Sequence, residues 1–428
     1  MNSSVIGIHA PAVIALSPTL LDVLSSASWK QILISAGVLY VTLCRVSRYR
    51  REHAFRKQMG FTDRASLARM TTVNAQKIIM FLAKWEMPLF HFLSLEFGLF
   101  KTYGVESVSR LLLATGNLTD PVRSLKRFED TTALIGEFLN NPPTTDRASQ
   151  GIARMNFLHS KYVKEGTISN SDLLYTLSVF VTEPPRFARL YEWRPMNDME
   201  YCAYGVFWKS VGDAMGIEYK GFLARAESGW RDGTEFADDI AAWAQAYEVV
   251  AMKPSKVCAK PARALIPMMT YWVPWFAKPF ATDIVISLIG GRVREAFMLS
   301  EPDIATIMIT YTLLTLRRFA LRYLMLPRFF ENKLGGDPDP QTGRIKQRNP
   351  YGNYPYYVEP TFWNRWGPVA WAIWLYGGKV PGDDPEEYMP QGYLISDLGP
   401  RNRMGLGIEE VKTDSQRIKS SKWTGCPF

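Results

Sequence analysis

Apolar positions recur at helical spacing along most of the chain, and the clearest pattern is a pair of helices folded back on one another between Asp120 and Tyr162. Asp120 is a good N-cap and Pro121 a good first helical residue, so the spacing predicts a helix running to about Asn140. Asn140, Asn141, Pro142 and Pro143 stop it. Thr144, Thr145 and Asp146 then offer capping oxygens for a second helix that closes at Gly166. A short proline-rich turn predicts an antiparallel pair. In the second helix Ile152, Met155, His159 and Tyr162 share a face. At about 1.5 Å of rise per residue, Arg127 and His159 each lie about 20 Å from the bend, at one level. Thr131 shares the Arg127 face. An imidazole, a guanidinium and a hydroxyl thus converge among Phe128, Ile135, Met155 and Leu158. On pattern alone two other readings stay open: His159 is a hydrogen-bonded core histidine, and Arg127 faces water together with Lys126 and Glu129.

The remaining periodicity is also helical. Residues 23–44 are free of proline and carry one charge, Lys30, beside Trp29, a stretch about long enough to cross a bilayer, with shallow insertion as the alternative. Arg45, Arg48, Arg50, Arg51, Arg56 and Lys57 follow. A charge-poor leader before a basic cluster predicts the N-terminus on the lumenal side and the body in the cytosol. No basic segment precedes the apolar run, which argues against a cleaved signal peptide. Residues 61–70 predict a short helix capped by Thr62 or Asp63. Residues 73–103 predict a long one bent at Pro88 and closed by Gly104. NSDLLYTLSVFV, from Asn170, predicts a helix ending before Pro184 and Pro185; the run Glu200 to Met215 follows, with Cys202, Val206 and Met215 among Phe207 and Trp208, and two further helices are predicted over about 234–250 and 281–299. Residues 304–316 predict a core helix, too short to span. Residues 368–376, with Trp371 and Trp374, suit a membrane interface. Residues 335–361 and the chain from Gln391 read as mostly irregular, lid-like segments. No repeat and little strand pattern is present, so the fold class is all-α: an anchor with its flanks over 1–57 and a helical body over 58–428.

Composition narrows the chemistry. The 428 residues are 47% hydrophobic and 13% aromatic, enough for a core and a ligand cavity. The net charge of +9 suits an anionic membrane surface, and no basic helix or aromatic RNA-binding signature points to nucleic acid. Cys44, Cys202, Cys258 and Cys426 show no C-x-x-C spacing, which argues against a zinc site or a disulfide framework. His9 and His53 flank the apolar segment, leaving His91 and His159 within the body. A two-histidine iron site needs both, whereas a haem with one axial histidine needs only His159. His91 is either a second site residue or a satisfied core histidine. The chain has no G-x-G-x-x-G, P-loop, G-x-S-x-G or H-E-x-x-H. No reductase motif is present, so the electron donor stays unknown.

RFEDT, from Arg127, followed by FLHSKY, from Phe157, resembles the signature of the family that joins the ER-bound oxygenase of fungal mycophenolic acid biosynthesis to the bacterial rubber oxygenases. LEFGLFKTYGVESVSRLLLATGNL, YEWRPMNDMEYCAYGVFWKSVGDAMGI, FWNRWGP and PQGYLISDLGP are similar to the fungal branch, and the resemblance runs from about residue 60 to the end. It implies a globin-like helical core holding haem b, with His159 as axial ligand and Arg127 and Thr131 on the oxygen-binding side. The rubber-cleaving branch carries a distal glutamate upstream of the arginine; residues 109–113 hold no carboxylate, and Asp130 is the nearest substitute, at the edge of the Arg127 face, with a solvated helix charge as its other reading. The resemblance further implies molecular oxygen as co-substrate, a hydrophobic prenylated substrate whose C=C bond is cleaved, and residence in the endoplasmic reticulum membrane. A haem hydroxylase or epoxidase, or a non-catalytic lipid-binding protein, are the alternative functions.

Overall fold

The computed structural model describes residues 27–116, 121–271, 273–348, 351 and 354–428. Asp120, the leader up to residue 26 and His9 lie outside the described residues. The described helices are α1 (Trp29–Met59), α2 (Thr72–Phe81), α3 (Pro88–Thr102), α4 (Glu106–Ala114), α5 (Pro121–Leu139), α6 (Asp146–Lys164) and α7 (Asn170–Tyr191). They continue with α8 (Asp198–Ala214), α9 (Gly233–Ala251), α10 (Lys256–Met269), α11 (Lys278–Ile289), α12 (Ile304–Phe319), α13 (Pro368–Leu375) and α14 (Ile408–Ser420). Single turns, among them Arg64–Leu67 behind the Asp63 cap, fill the joints. The only strand-like pairing among the described residues is two isolated bridges, Pro338 to Ile345 and Ile345 to Tyr393. The all-α class holds.

The core forms around α8, buried along nearly its whole length. It packs on α2 and α9, and the α9 contact is close because two glycines meet: a Cβ on Gly205 would collide with the Gly233 backbone. Trp208 of α8 stacks on Phe180 of α7 at 4.5 Å. Between α2 and α3 the chain turns by 117°. The π-turn Leu82–Glu86 ends α2, and Pro88, which lacks an N–H and disfavours α geometry in the residue before it, leaves Met87 at φ −138°. Ile78, Leu82, Phe97 and Phe100 of this bent pair are buried in the protein core.

Four expectations are corrected. α7 does not stop before Pro184 and Pro185 but runs through both to Tyr191. Each proline removes a backbone hydrogen bond, yet α7 is buried along its length and packs extensively on α3, and that packing outweighs the local break. The helix beginning at Ile304 is not in the core: most of its large apolar side chains are exposed, and with the π-turn Ala320–Leu324 it is 21 residues long. The chain beyond Gln391 holds α14, whose sequence is so polar that only Ser415 and Ile418 are buried; acidic residues in its first turn and basic ones in its last support it. The 281–299 helix is divided at Gly290, which takes φ 88°.

α1 starts at a Ser28–Gln31 capping box and ends on Gly60 in the left-handed conformation. Its first half is exposed and apolar, and the whole helix is long and apolar enough to cross a membrane. Its second half joins the body: Arg48 and Glu52 are buried, and Asn197 Nδ2 donates to Glu52 at 2.7 Å.

Candidate active site

α5 and α6 form the antiparallel pair. Thr145 caps α6 by accepting from Ala148 N, and Asn141 Nδ2 closes α5 by donating to Glu137 O at 2.8 Å. Gly151 allows the close approach: a Cβ there would lie 2.9 Å from Glu137 Cβ. Arg147 of α6 fastens the turn end by a two-point pairing with Glu137, each N···O 2.8 Å.

Further along, the pair brings Arg127 and His159 together. Burial, with the Arg127 cation adding to it, pushes the His159 imidazole down to about 4, so the ring is uncharged at neutral pH. Nδ1 of His159 is buried with no hydrogen-bond partner. Tyr103, just past the end of α3, is near enough to Arg127 that the guanidinium opposes the rise burial gives the phenol's pKa. His159, Tyr103 and Glu96 are each partly buried. Thr131 Oγ1 donates to Arg127 O at 2.8 Å, which commits its proton and leaves its lone pairs to accept.

Lys126 and Asp130 turn another way. Lys126 Nζ lies 2.7 Å from Asp130 Oδ2 and donates to Gly399 O at 2.8 Å, while the Tyr357 hydroxyl (2.5 Å) and Gly399 N (3.1 Å) donate to the same carboxylate. Fully buried Arg154 of α6 donates to the carbonyls of Leu398, Arg403 and Leu406 at 2.9, 2.8 and 2.6 Å. Gly399, at φ 120°, lies so close to Leu158 that a Cβ would come within 2.8 Å of its Cδ2. Residues 397–406 therefore form a strap tied across the hairpin. Lys126 and Glu129 are each 3% exposed and Asp130 5%, so neither a solvated face around Arg127 nor a solvated charge at Asp130 exists.

No family model matches the chain. The ER-bound oxygenase mpaB' of Penicillium brevicompactum is 38% identical to it over 407 residues, 94% of this chain and 96% of the relative. The chain belongs to the mpaB family of ER-bound oxygenases. The ER-bound oxygenase mpaB of the same species is 37% identical over 378 residues, 88% of this chain and 89% of its own. That of Penicillium roqueforti (strain FM164) is 37% identical over 273 residues, 64% and 91% of the two chains. A match over 94% of the chain includes the α5–α6 hairpin, so the hairpin is a shared mpaB-family element.

The sequence reading missed part of this region. Burial pushes the Glu96 carboxyl up to about 7 and that of Glu129 up to about 8; for Glu129 a hydrogen bond to Gln347 opposes the rise and the charges of Asp130 and Glu96 add to it. Glu129 is therefore protonated at neutral pH. Its Oε1 and the Tyr271 hydroxyl are buried without partners, and Glu129 raises the Tyr271 pKa. The available signal was faint: Glu96 and Tyr103, seven residues apart, share one face of α3. His91 belongs elsewhere. Its Nδ1 lies 2.8 Å from the Tyr204 hydroxyl, beside a cavity of about 10 Å³, room for about one water.

Among the described residues no three His, Cys, Asp or Glu side chains are grouped to hold a metal ion. A metal at His159 needs a group that brings its own donors. With Nδ1 closed off by protein, Nε2 of this uncharged imidazole is the atom that would bind iron, and in that respect His159 fits the axial ligand of a haem.

Proposed function

We propose that the chain is a membrane-anchored haem oxygenase that oxidatively cleaves a C=C bond in the prenyl chain of a hydrophobic, meroterpenoid-type intermediate of secondary metabolism. The observation that carries this reading is the unpartnered His159 imidazole beside Arg127, in a chain of the mpaB family. His159 would hold the iron of haem b, and the haem would supply the activation of molecular oxygen. Because the imidazole is uncharged at neutral pH, its lone pair is available without loss of a proton. Arg127, close to both Tyr103 and His159, would present a positive charge to the negative charge that develops during oxygen activation. Thr131, its proton committed to the Arg127 carbonyl, braces the turn of α5 that carries Arg127. Burial pushes the Glu129 and Glu96 carboxyls up, so neither brings a full negative charge to this region near neutral pH. Asp130 positions: with Lys126 and Tyr357 it fixes the strap, and with it the pitch of α5. Phe128, Met155 and Leu158 give the apolar surroundings that suit a prenyl chain.

We place this chemistry on the cytosolic side of the endoplasmic reticulum, with α1 as a single span and the N-terminus lumenal. The basic run from Arg45 to Lys57 supports that orientation, and the relatives' description as ER-bound supports the compartment. Incubation of the purified full chain with a farnesylated aromatic substrate under ¹⁸O₂ tests the reaction. Two carbonyl fragments, each carrying label, are expected. An intact carbon skeleton with one added oxygen would replace cleavage by hydroxylation or epoxidation, and unlabelled, unchanged substrate would leave the lipid-binding alternative.

A further inference from the structure

α12 is built inside out. The side turned to the protein carries Thr306, Thr310, Leu314 and Arg317, one stripe along the whole helix. Thr306 and Thr310 are buried, Leu314 packs on the core, and Arg317 donates to Tyr191 O and to the Glu192 carboxylate, both at 3.0 Å. The outward side carries Ile304, Met308, Leu313 and Leu316, with Ile304 76% exposed. A surface helix in water has the reverse arrangement. By length and composition Ile304–Leu324 is able to cross a membrane, but its polar stripe and its packing on α11 hold it along the body.

The neighbouring elements continue this surface. Trp275 and Phe276 precede α11 and are exposed, and Phe329 and Phe330, beside exposed Arg328, follow α12. The end of α12 meets the anchor: the Tyr40 hydroxyl donates to Leu324 O at 3.0 Å, Arg48 Nε to Met325 O at 2.8 Å, and Arg51 Nη1 to Arg328 O at 2.7 Å. The apolar surface thus begins where the anchor leaves the body. On its other side the exposed Trp363 belongs to a turn joined to the same region, since Tyr351 donates to Asn364 O at 2.9 Å and Tyr354 stacks on Tyr271 at 4.5 Å.

We infer that α12, with Trp275, Phe276, Phe330 and Trp363, is a second membrane contact that lies in the lipid interface without crossing it. The occupant is the bilayer that α1 enters, because the surface is continuous with the anchor and combines acyl-chain-seeking side chains with aromatic rings and an exposed arginine at headgroup depth. A prenyl chain dissolved in the bilayer then meets the protein at this contact without passing through water. The inference rests on the reading of α1 as the anchor.

The full chain carrying Cys426→Ser is labelled with an environment-sensitive fluorophore at Met308→Cys, Leu316→Cys or Trp363→Cys, with Val250→Cys, on α9 at a position 74% exposed, as the control. It is reconstituted into phosphatidylcholine–phosphatidylserine vesicles containing nitroxide-labelled lipid. Flotation with the vesicles is expected, with blue-shifted emission and loss of about half the intensity at the three test positions and no change at residue 250. Flotation with all four labels behaving as water-exposed would overturn the inference and leave the anchor reading intact. A blue shift without lipid quenching, together with cross-linked dimers, would give the surface to a second copy of the chain and also overturn it. Failure to float would overturn both readings.

Discussion

Two histidines lie deep in this protein, and they differ in one respect. Burial pushes both His91 and His159 down to about 4. His91 is satisfied by Tyr204, whereas His159 has a buried nitrogen without a partner and an arginine close enough to lower its pKa. Depth and a perturbed pKa are thus shared by a structural residue and a candidate ligand. The unsatisfied hydrogen-bonding capacity separates them, because folding leaves a buried polar atom unpaired only at a cost of about 1–3 kcal/mol.

The comparison breaks most completely if the two histidines prove interchangeable. His159→Ala is expected to abolish haem binding and turnover, while His91→Phe keeps both and loses about 1–3 kcal/mol of stability through the stranded Tyr204 hydroxyl. Pyridine haemochrome assay and chemical denaturation check the two outcomes. Next in size, Asp130→Ala leaves Lys126 buried without its partner and is expected to cost about 3–5 kcal/mol, with near-normal turnover by the protein that remains folded. A stable variant with turnover lost would instead return Asp130 to the chemistry. Arg127→Ala should lower kcat by about 10²–10³-fold with haem retained, and Arg127→Lys should recover part of the loss. Single-turnover kinetics at equal haem content check this.

The smallest effect concerns pH. The folded state holds the Glu129 proton up to about pH 8, whereas the unfolded chain releases it in the ordinary carboxylate range. The folded protein therefore binds more protons across that window, and Glu129 lowers stability as pH rises through it. Between pH 6 and 8, Glu129→Gln should remove about 1–2 kcal/mol of that decline, read from denaturation midpoints at the two pH values. An unchanged slope would mean that Glu129 is ionised in the fold.

What was legible in the sequence was local. Thr145, Pro142 and Pro143 mark the hairpin turn, and counting along two helices places Arg127 level with His159 because the rise per residue is fixed. The environment of Asp130 was not legible, since its partners Tyr357 and Gly399 lie more than 200 residues away in sequence. The same holds for Glu96 and Glu129, which lie on separate helices and influence one another only in the fold. The run through Pro184 and Pro185 and the exposed face of α12 were misread for a related reason: local rules give a helix's limits and its apolar stripe, but the neighbour it packs on decides whether it continues and whether that stripe meets protein or not.

The central claim is that His159, and not His91, holds a haem. The most direct test is the absorption spectrum of the detergent-solubilised full chain, expressed with haem supplied, oxidised and dithionite-reduced, for the wild type, His159→Ala and His91→Phe. The account predicts a Soret band that shifts on reduction in the wild type and in His91→Phe and is absent in His159→Ala. A Soret band that survives His159→Ala unchanged, or is lost with His91→Phe alone, would contradict it.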